Sequence, residues 1–162
     1  MLRNKYSNRE TADMSTNIEY TRHTLAHLLA AAVQEHYPHA KLTLGPAIEH
    51  GFYYDIDFSD GPTPGPDDLP KLETTMRELL PSWSSFTHEE VSPAVARARY
   101  AENPYKCELI DEIEAKREPI TLYTCGGFTD LCRGGHSDEP AKDIDPNSFA
   151  LDSIAGAYWR GS

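Results

Sequence analysis

The chain has 162 residues, 39% of them hydrophobic and 25% charged, with a formal net charge of −11, which fits one soluble globular domain able to bury its own core. No run approaches the roughly 18–20 consecutive apolar residues of a membrane span, and the polar start "MLRNKYSNRETADMSTN" lacks the apolar stretch of a secretory signal, so a cytoplasmic location is expected. Three cysteines, an odd number, point away from a disulfide framework, and the acidic balance argues against strong polynucleotide binding by this domain alone.

Residues 1–16 read as a flexible tail, and "TNIE" (Thr16 to Glu19) has the form of a capping box that starts a helix. That helix is expected to end near Tyr37, because Pro38 disfavours helical geometry at the residue before it. "GFYYDIDF" alternates Phe52, Tyr54, Ile56 and Phe58 against Tyr53, Asp55 and Asp57, which predicts a half-buried strand. The proline-rich and glycine-rich stretch 59–68 is a loop. Next, "DDLPKLETTMRELL" has its leucines and Met76 at helical spacing. "SWSSFTHEEVS" predicts a strand, followed by two short helices, "PAVARARYAEN" and "YKCELIDEIEAK", broken at Asn103–Pro104. "PITLYT" predicts another strand, "CGGFTDLCRGGH" a glycine-punctuated loop, and "SFALDSIAGAYWRG" one or two closing strands. Helices and strands do not alternate regularly, so the expected class is α+β with a mixed, mainly antiparallel sheet packed around a histidine-bearing helix. No repeat, no P-loop and no dinucleotide-binding glycine motif occurs.

Within "TRHTLAHLLAAAV", His23 and His27 stand four apart in a run without Asp, Glu, Lys or Arg from Thr24 to Gln34. On a helix, His27 falls about 40° and Gln34 about 20° from His23, while Leu25, Leu28, Leu29 and Ala32 fall between about 140° and 240°. A leucine face therefore opposes a face of two histidines and small residues, which suggests that something packs or binds there. The pair fits either satisfied structural histidines or a site holding one metal or one substrate. A zinc-peptidase reading is disfavoured, since Thr24 stands where H-E-x-x-H carries its glutamate. "TDLCRGGH" sets Asp130, Cys132, Arg133 and His136 within seven residues, with Gly134 and Gly135 giving the backbone freedom to fold them together. His23, His27, Cys132 and His136 are a credible zinc tetrad in type and number. They are equally a metal-free hydrolytic site, with a histidine as base and Asp130 to orient it. Cys125 fits neither and reads as structural.

"RHTLAHLLAAAV…YPHAKLTLGPAIEHGFYYDID", "NPYK", "FTDLCRGGH" and "AGAYWRG", in that order, resemble the editing domains of bacterial threonyl-tRNA synthetases, relatives of the alanyl-tRNA editing domains. The match covers about residues 18–162, so 17–162 is expected to be the editing domain, with the second-additional-domain fold of those enzymes. The class II catalytic and anticodon-binding domains that follow "AGAYWRG" in such enzymes have no counterpart in this sequence, which therefore reads as a piece of a longer synthetase, a freestanding editing factor being the alternative. The resemblance implies hydrolysis of serine misattached to tRNA(Thr). Serine and threonine differ by a methyl group, which a pocket can exploit for only about 1–3 kcal/mol, so a second site must supply the rest. It further implies that His23, His27, Lys106, Asp130, Cys132 and His136 are catalytic and that Tyr54, Arg133, Gly45 and Pro46 bind substrate. No cofactor is expected, zinc on His23, His27, Cys132 and His136 being the alternative found in alanyl-type editors. A non-catalytic module binding the tRNA 3′ end is another. Implied partners are the serine-bearing 3′ end of tRNA(Thr), the rest of the synthetase, and a second copy joined through the catalytic domain. ATP-dependent ligation of threonine to tRNA(Thr) would belong to the parent protein, not to this piece.

Overall fold

The computed structural model describes residues 2–156 and Trp159, with side chains described from residue 17 onward. Five helices, α1 (Leu2–His36), α2 (Leu69–Leu79), α3 (Pro93–Arg99), α4 (Pro104–Ala115) and α5 (Pro140–Asp143), combine with seven short strands. The strands are β1 (Lys41–Leu42), β2 (Ala47–Ile48), β3 (Gly51–Phe52), β4 (Ile56–Asp57), β5 (Thr87–Val91), β6 (Ile120–Cys125) and β7 (Phe128–Leu131). They form three antiparallel sheets, β1–β4, β2–β3 and β5–β6–β7. The expected α+β class is the observed one.

α1 is the axis of the fold, and its sequence explains why. From Leu2 to His36 it contains no glycine or proline, so nothing interrupts helical propagation until Pro38. The helix start expected at the Thr16–Glu19 capping box is therefore corrected: helical backbone runs through it from Leu2. Between Thr24 and Val33 every residue except the half-buried Leu29 is buried, on all sides of the helix. Leu25, Leu28 and Ala32 pack with Met76 and Leu80 of the α2 region, with Trp83, and with Cys125, Ile144 and Phe149. One turn on, Val33 and Tyr37 close over Leu72. A fully buried leucine contributes about 1.5–3 kcal/mol, so this charge-free segment has a structural reason to be apolar on the leucine side. Gln34 is exposed, so the histidine face ends before it.

Three expectations about strands change. The single strand expected over residues 51–58 is broken into β3 and β4, which pair with different partners. The proline at 46 lacks the N–H needed to carry one ladder through. The expected glycine loop contains a strand, β7, joined to β6 by Gly126–Gly127 at φ +57° and +81°. That is the backbone a two-residue hairpin with right-handed strand twist requires. The expected closing strands do not form between residues 148 and 156, because the backbone there is bonded to side chains of α2. Leu151 N–H donates to Glu73 (2.6 Å), and Arg77 donates to the carbonyls of Pro146 (2.8 Å) and Phe149 (3.2 Å). The remainder of that expected element, Ala157, Tyr158, Arg160 and Gly161, lies outside the described residues.

The break at Asn103–Pro104 is as expected and positions a key side chain. Asn103 caps α4 by accepting from Tyr105 N and Lys106 N, both at 3.1 Å. Its amide donates to Leu42 O at 2.7 Å, tying α4 to β1. This places Lys106 in the first turn of α4, facing inward.

Candidate active site

His23 and His27 project from α1, Asp130 from β7, and Cys132 and His136 from the glycine loop that follows it. All four ligand-capable atoms of His23, His27, Cys132 and His136 lie within 4.8 Å of one another. His27 Nε2 is 3.1 Å from His23 Nε2, and Cys132 Sγ is 3.4 Å from His23 Nε2 and 3.3 Å from His136 Nε2. The two motifs, more than a hundred residues apart in sequence, are one cluster.

Behind it sits a buried carboxylate with every lone pair engaged. Asp130 Oδ1 accepts from Lys106 Nζ (2.8 Å) and Leu131 N (2.8 Å), and Oδ2 accepts from Tyr54 OH (2.6 Å) and His27 Nδ1 (3.0 Å). Lys106 Nζ also donates to Tyr54 OH at 2.9 Å. Asp130 and Lys106 are 2% and 1% exposed, so these charges persist because they neutralise and hydrogen-bond one another. Burial works against the Asp130 carboxylate, but Lys106 and His27 outweigh it and hold the group below the usual carboxylate range. Burial also works against a charged His27; its bonds to Asp130 and the neighbouring Cys132 outweigh that and raise it to about 9. Tyr54 is pushed well above its ordinary value by burial and by Asp130, so it stays a neutral donor.

Cys132 is the opposite case to Cys125. Burial opposes ionisation of both. At Cys132 its contacts with His136, His23 and His27 prevail and lower the thiol to about 4, whereas Cys125 in the core is raised to about 11. The structural reading of Cys125 fits its burial in the main core cluster, which also holds Trp83 and Phe149. His136 is lowered, chiefly by burial, and its ring stacks on Phe86 (4.1 Å between centroids) and on His23 (4.5 Å).

Hydrogen-bond roles follow from these neighbours. His23 Nδ1 lies 3.1 Å from Gly135 O, a pure acceptor, so Nδ1 carries a proton. His27, charged, donates through Nδ1 to Asp130. With its proton on Nδ1, neutral His23 presents an unprotonated Nε2 between His27 Nε2 (3.1 Å) and Cys132 Sγ (3.4 Å), at the mouth of the cluster.

The cluster lies in the wall of a cavity of about 530 Å³. Gly45, Pro46, Tyr54, Lys106 and Arg133 line it too, with Tyr20, Leu44, Leu109 and Ile113 forming an apolar outer wall. Every residue expected in the site except His136 therefore borders this cavity, and His136 stands behind His23. Gly45 has a packing reason: a Cβ there would overlap the Tyr54 ring. Arg133 stands at the rim, its side chain 70% exposed and paired with Glu118 at 2.8 Å. Sequence reasoning missed Phe86, Tyr20 and Thr24. Phe86 and Tyr20 carry no motif signal, and Thr24 signalled only the absence of a peptidase glutamate.

Chemically, the site offers a proton acceptor (His23), a thiolate (Cys132), and a charged histidine held by a buried carboxylate. It also suits a metal. Four-coordinate zinc sites use such Cys–His sets, and His27 backed by Asp130 is the outer-shell arrangement that orients metal-bound imidazoles.

No model of a known protein family matches the chain. Among curated proteins it is 48% identical over 149 residues to the threonine–tRNA ligase of Treponema pallidum, covering 91% of this chain and 24% of that protein. It is 46% identical over 146 residues to the threonine–tRNA ligase of Dehalococcoides mccartyi, covering 90% and 24% respectively. To that of Rubrobacter xylanophilus it is 44% identical over 151 residues, covering 93% and 22%. The similarity noted from sequence motifs thus extends over nine tenths of the chain, which spans about a quarter of the length of these relatives.

Proposed function

We propose that this chain is the editing unit of a threonine–tRNA ligase and hydrolyses the ester of Ser-tRNA(Thr). The observation that carries the proposal is the convergence of the helix pair and the loop pair on one cavity, braced by Asp130, Lys106 and Tyr54. The cavity accepts the aminoacyl end of a tRNA. A water at the ester carbonyl gives its proton to His23 Nε2, whose resulting charge faces Cys132 Sγ at 3.4 Å. The water oxygen bonds to the acyl carbon, the C–O bond to the terminal ribose breaks, His23 returns its proton to the ribose oxygen, and serine leaves as the acid. Lys106 spends two of its three donors on Asp130 and Tyr54, which suits a brace better than a base. The rest of a ligase chain would hold the tRNA body, bind ATP and threonine, and supply any dimer contact. No described helix is long and apolar enough to cross a membrane, and a synthetase context supports a cytoplasmic location.

The test is deacylation of Ser-tRNA(Thr) by this chain, alone or joined to its ligase, against the His23→Ala, Cys132→Ala double variant. Equal rates would sink the reading. The donor set favours a second reading, a zinc centre on His23, His27, Cys132 and His136. Metal analysis of purified protein decides it: about one zinc per chain, lost in Cys132→Ser, supports zinc, and none after equilibration with zinc rejects it.

A further inference from the structure

Thr24 is fully buried, 0% exposed, between the two helix histidines. Its hydroxyl donates to Tyr20 O one turn back (2.8 Å) and accepts the backbone N–H of Ser137 (2.9 Å). Ser137 is the residue directly after His136. The loop that carries Cys132 and His136 is fixed at its start by β6: Cys132 N donates to Thr121 O (3.2 Å), and Thr121 Oγ1 donates to Cys132 O (2.6 Å). Between these ends Gly134 and Gly135 take φ +98° and +87°, so the intervening backbone does little to fix itself. The other polar ties from the loop to α1 run through the reacting groups themselves, His23 to Gly135 O and His23 to Cys132. The Thr24–Ser137 bond uses no group of the site.

We infer that Thr24 is a positioning residue whose hydroxyl latches the end of the Cys132–His136 loop to α1 and so sets the spacing of the two pairs. The proposal rests on the editing reading for its kinetic consequence and on geometry alone for the latch. The back-bond to Tyr20 O turns the hydroxyl's lone pairs outward from the helix, toward the loop. Ser137 then continues the anchor. Its own hydroxyl donates to Asp143 Oδ2 (2.7 Å), which also accepts Glu139 N–H (3.1 Å) at the start of α5. α1 and α5 thus hold one side of the loop, while β6 and β7 hold the other.

Thr24→Val keeps the shape and removes the acceptor; Thr24→Ser keeps the acceptor. For deacylation of Ser-tRNA(Thr), Thr24→Val is expected to lower kcat roughly tenfold to a hundredfold, the range for lost outer support of a site. KM should stay within about threefold, because the cavity lining is untouched. Thr24→Ser should return kcat to within about twofold of the parent chain. Two readouts do not need activity. The Ser137 amide should exchange its hydrogen slowly in the unsubstituted chain and faster in Thr24→Val. The rate of Cys132 alkylation by iodoacetamide should change severalfold in Thr24→Val and return in Thr24→Ser. If the unsubstituted chain fails to deacylate, the editing reading falls, while slow exchange and the altered alkylation still uphold the latch. Fast exchange of Ser137 in the unsubstituted chain, or Thr24→Val matching it in kcat and alkylation, overturns the latch. Should Thr24→Val not fold, Thr24→Ala removes the same acceptor, and the exchange measurement needs no variant.

Discussion

His23 and His27 stand four residues apart, as do Cys132 and His136, yet the pairs reach their shared site by different physics. The helix pair is brought together by local geometry, since residues four apart share a face of any α-helix. The loop pair owes its convergence to two glycines at positive φ held in place from other parts of the chain, by the β6–β7 register and the hydroxyl of Thr24. A four-residue spacing therefore meant one thing on α1 and nothing definite after β7. Variants that strike one pair and spare the other should expose the difference.

The largest effect should come from removing one member of each pair. His23→Ala with Cys132→Ala should lower Ser-tRNA(Thr) deacylation by about 10²–10⁴-fold, as loss of positioned acid–base groups does, read by single-turnover deacylation. If each single variant costs as much as the double, the pairs act as one unit.

Asp130 supports the helix pair from the β7 side. Asp130→Ala leaves Lys106 and His27 buried without their counter-charge and should cost about 3–5 kcal/mol, read as a lower denaturant midpoint. The pH dependence follows from the direction of each shift. Asp130 is held below its ordinary value, so its stabilisation is full above about pH 4 and lost as pH falls through its folded value. His27, raised to about 9, contributes fully below about pH 6.5 and loses its contribution as pH rises. Cys132, lowered to about 4, contributes in the opposite sense, fully above about pH 8.5 and not at all below its folded value. The acid limb thus isolates Asp130. The Tm difference between the chain and Asp130→Asn should narrow as pH drops below about 4, and a constant difference there would count against the buried carboxylate.

Gly135→Ala strikes the backbone of the loop pair and, through its carbonyl, His23. At φ +87° an alanine should cost about 1–3 kcal/mol in a thermal melt. It should impair deacylation more than its stability loss explains, because Gly135 O holds His23. Arg133→Ala should have the smallest effect, within about 0.5 kcal/mol, since its exposed ion pair with Glu118 contributes little. If deacylation nonetheless weakens through KM, Arg133 touches the tRNA end.

Much of this was legible in the residues. Apolar spacing and Pro38 marked the end of α1, and Asn103–Pro104 marked the start of α4. The charge-free run of α1 implied cover on both sides, which the structure supplies. The glycine loop concealed β7 because four glycines around "FTDL" and "CR" mask a two-residue alternation. Tyr54 was read as sharing one strand face with Phe52 and Ile56. Once the strand divides at residues 53–55, across from Gly45–Pro46, Tyr54 turns to Asp130 while Ile56 joins the Tyr37 cluster.

What the sequence by itself determined was the inventory of chemical groups and the helix pair, because helical periodicity acts within a few residues. Only the tertiary structure decided that Lys106, Tyr54 and Asp130 form one buried brace and that Thr24 latches the loop. Those contacts join residues dozens to more than a hundred positions apart. They depend on desolvated charges and hydrogen-bond donors finding complements in three dimensions, for which no local pattern codes.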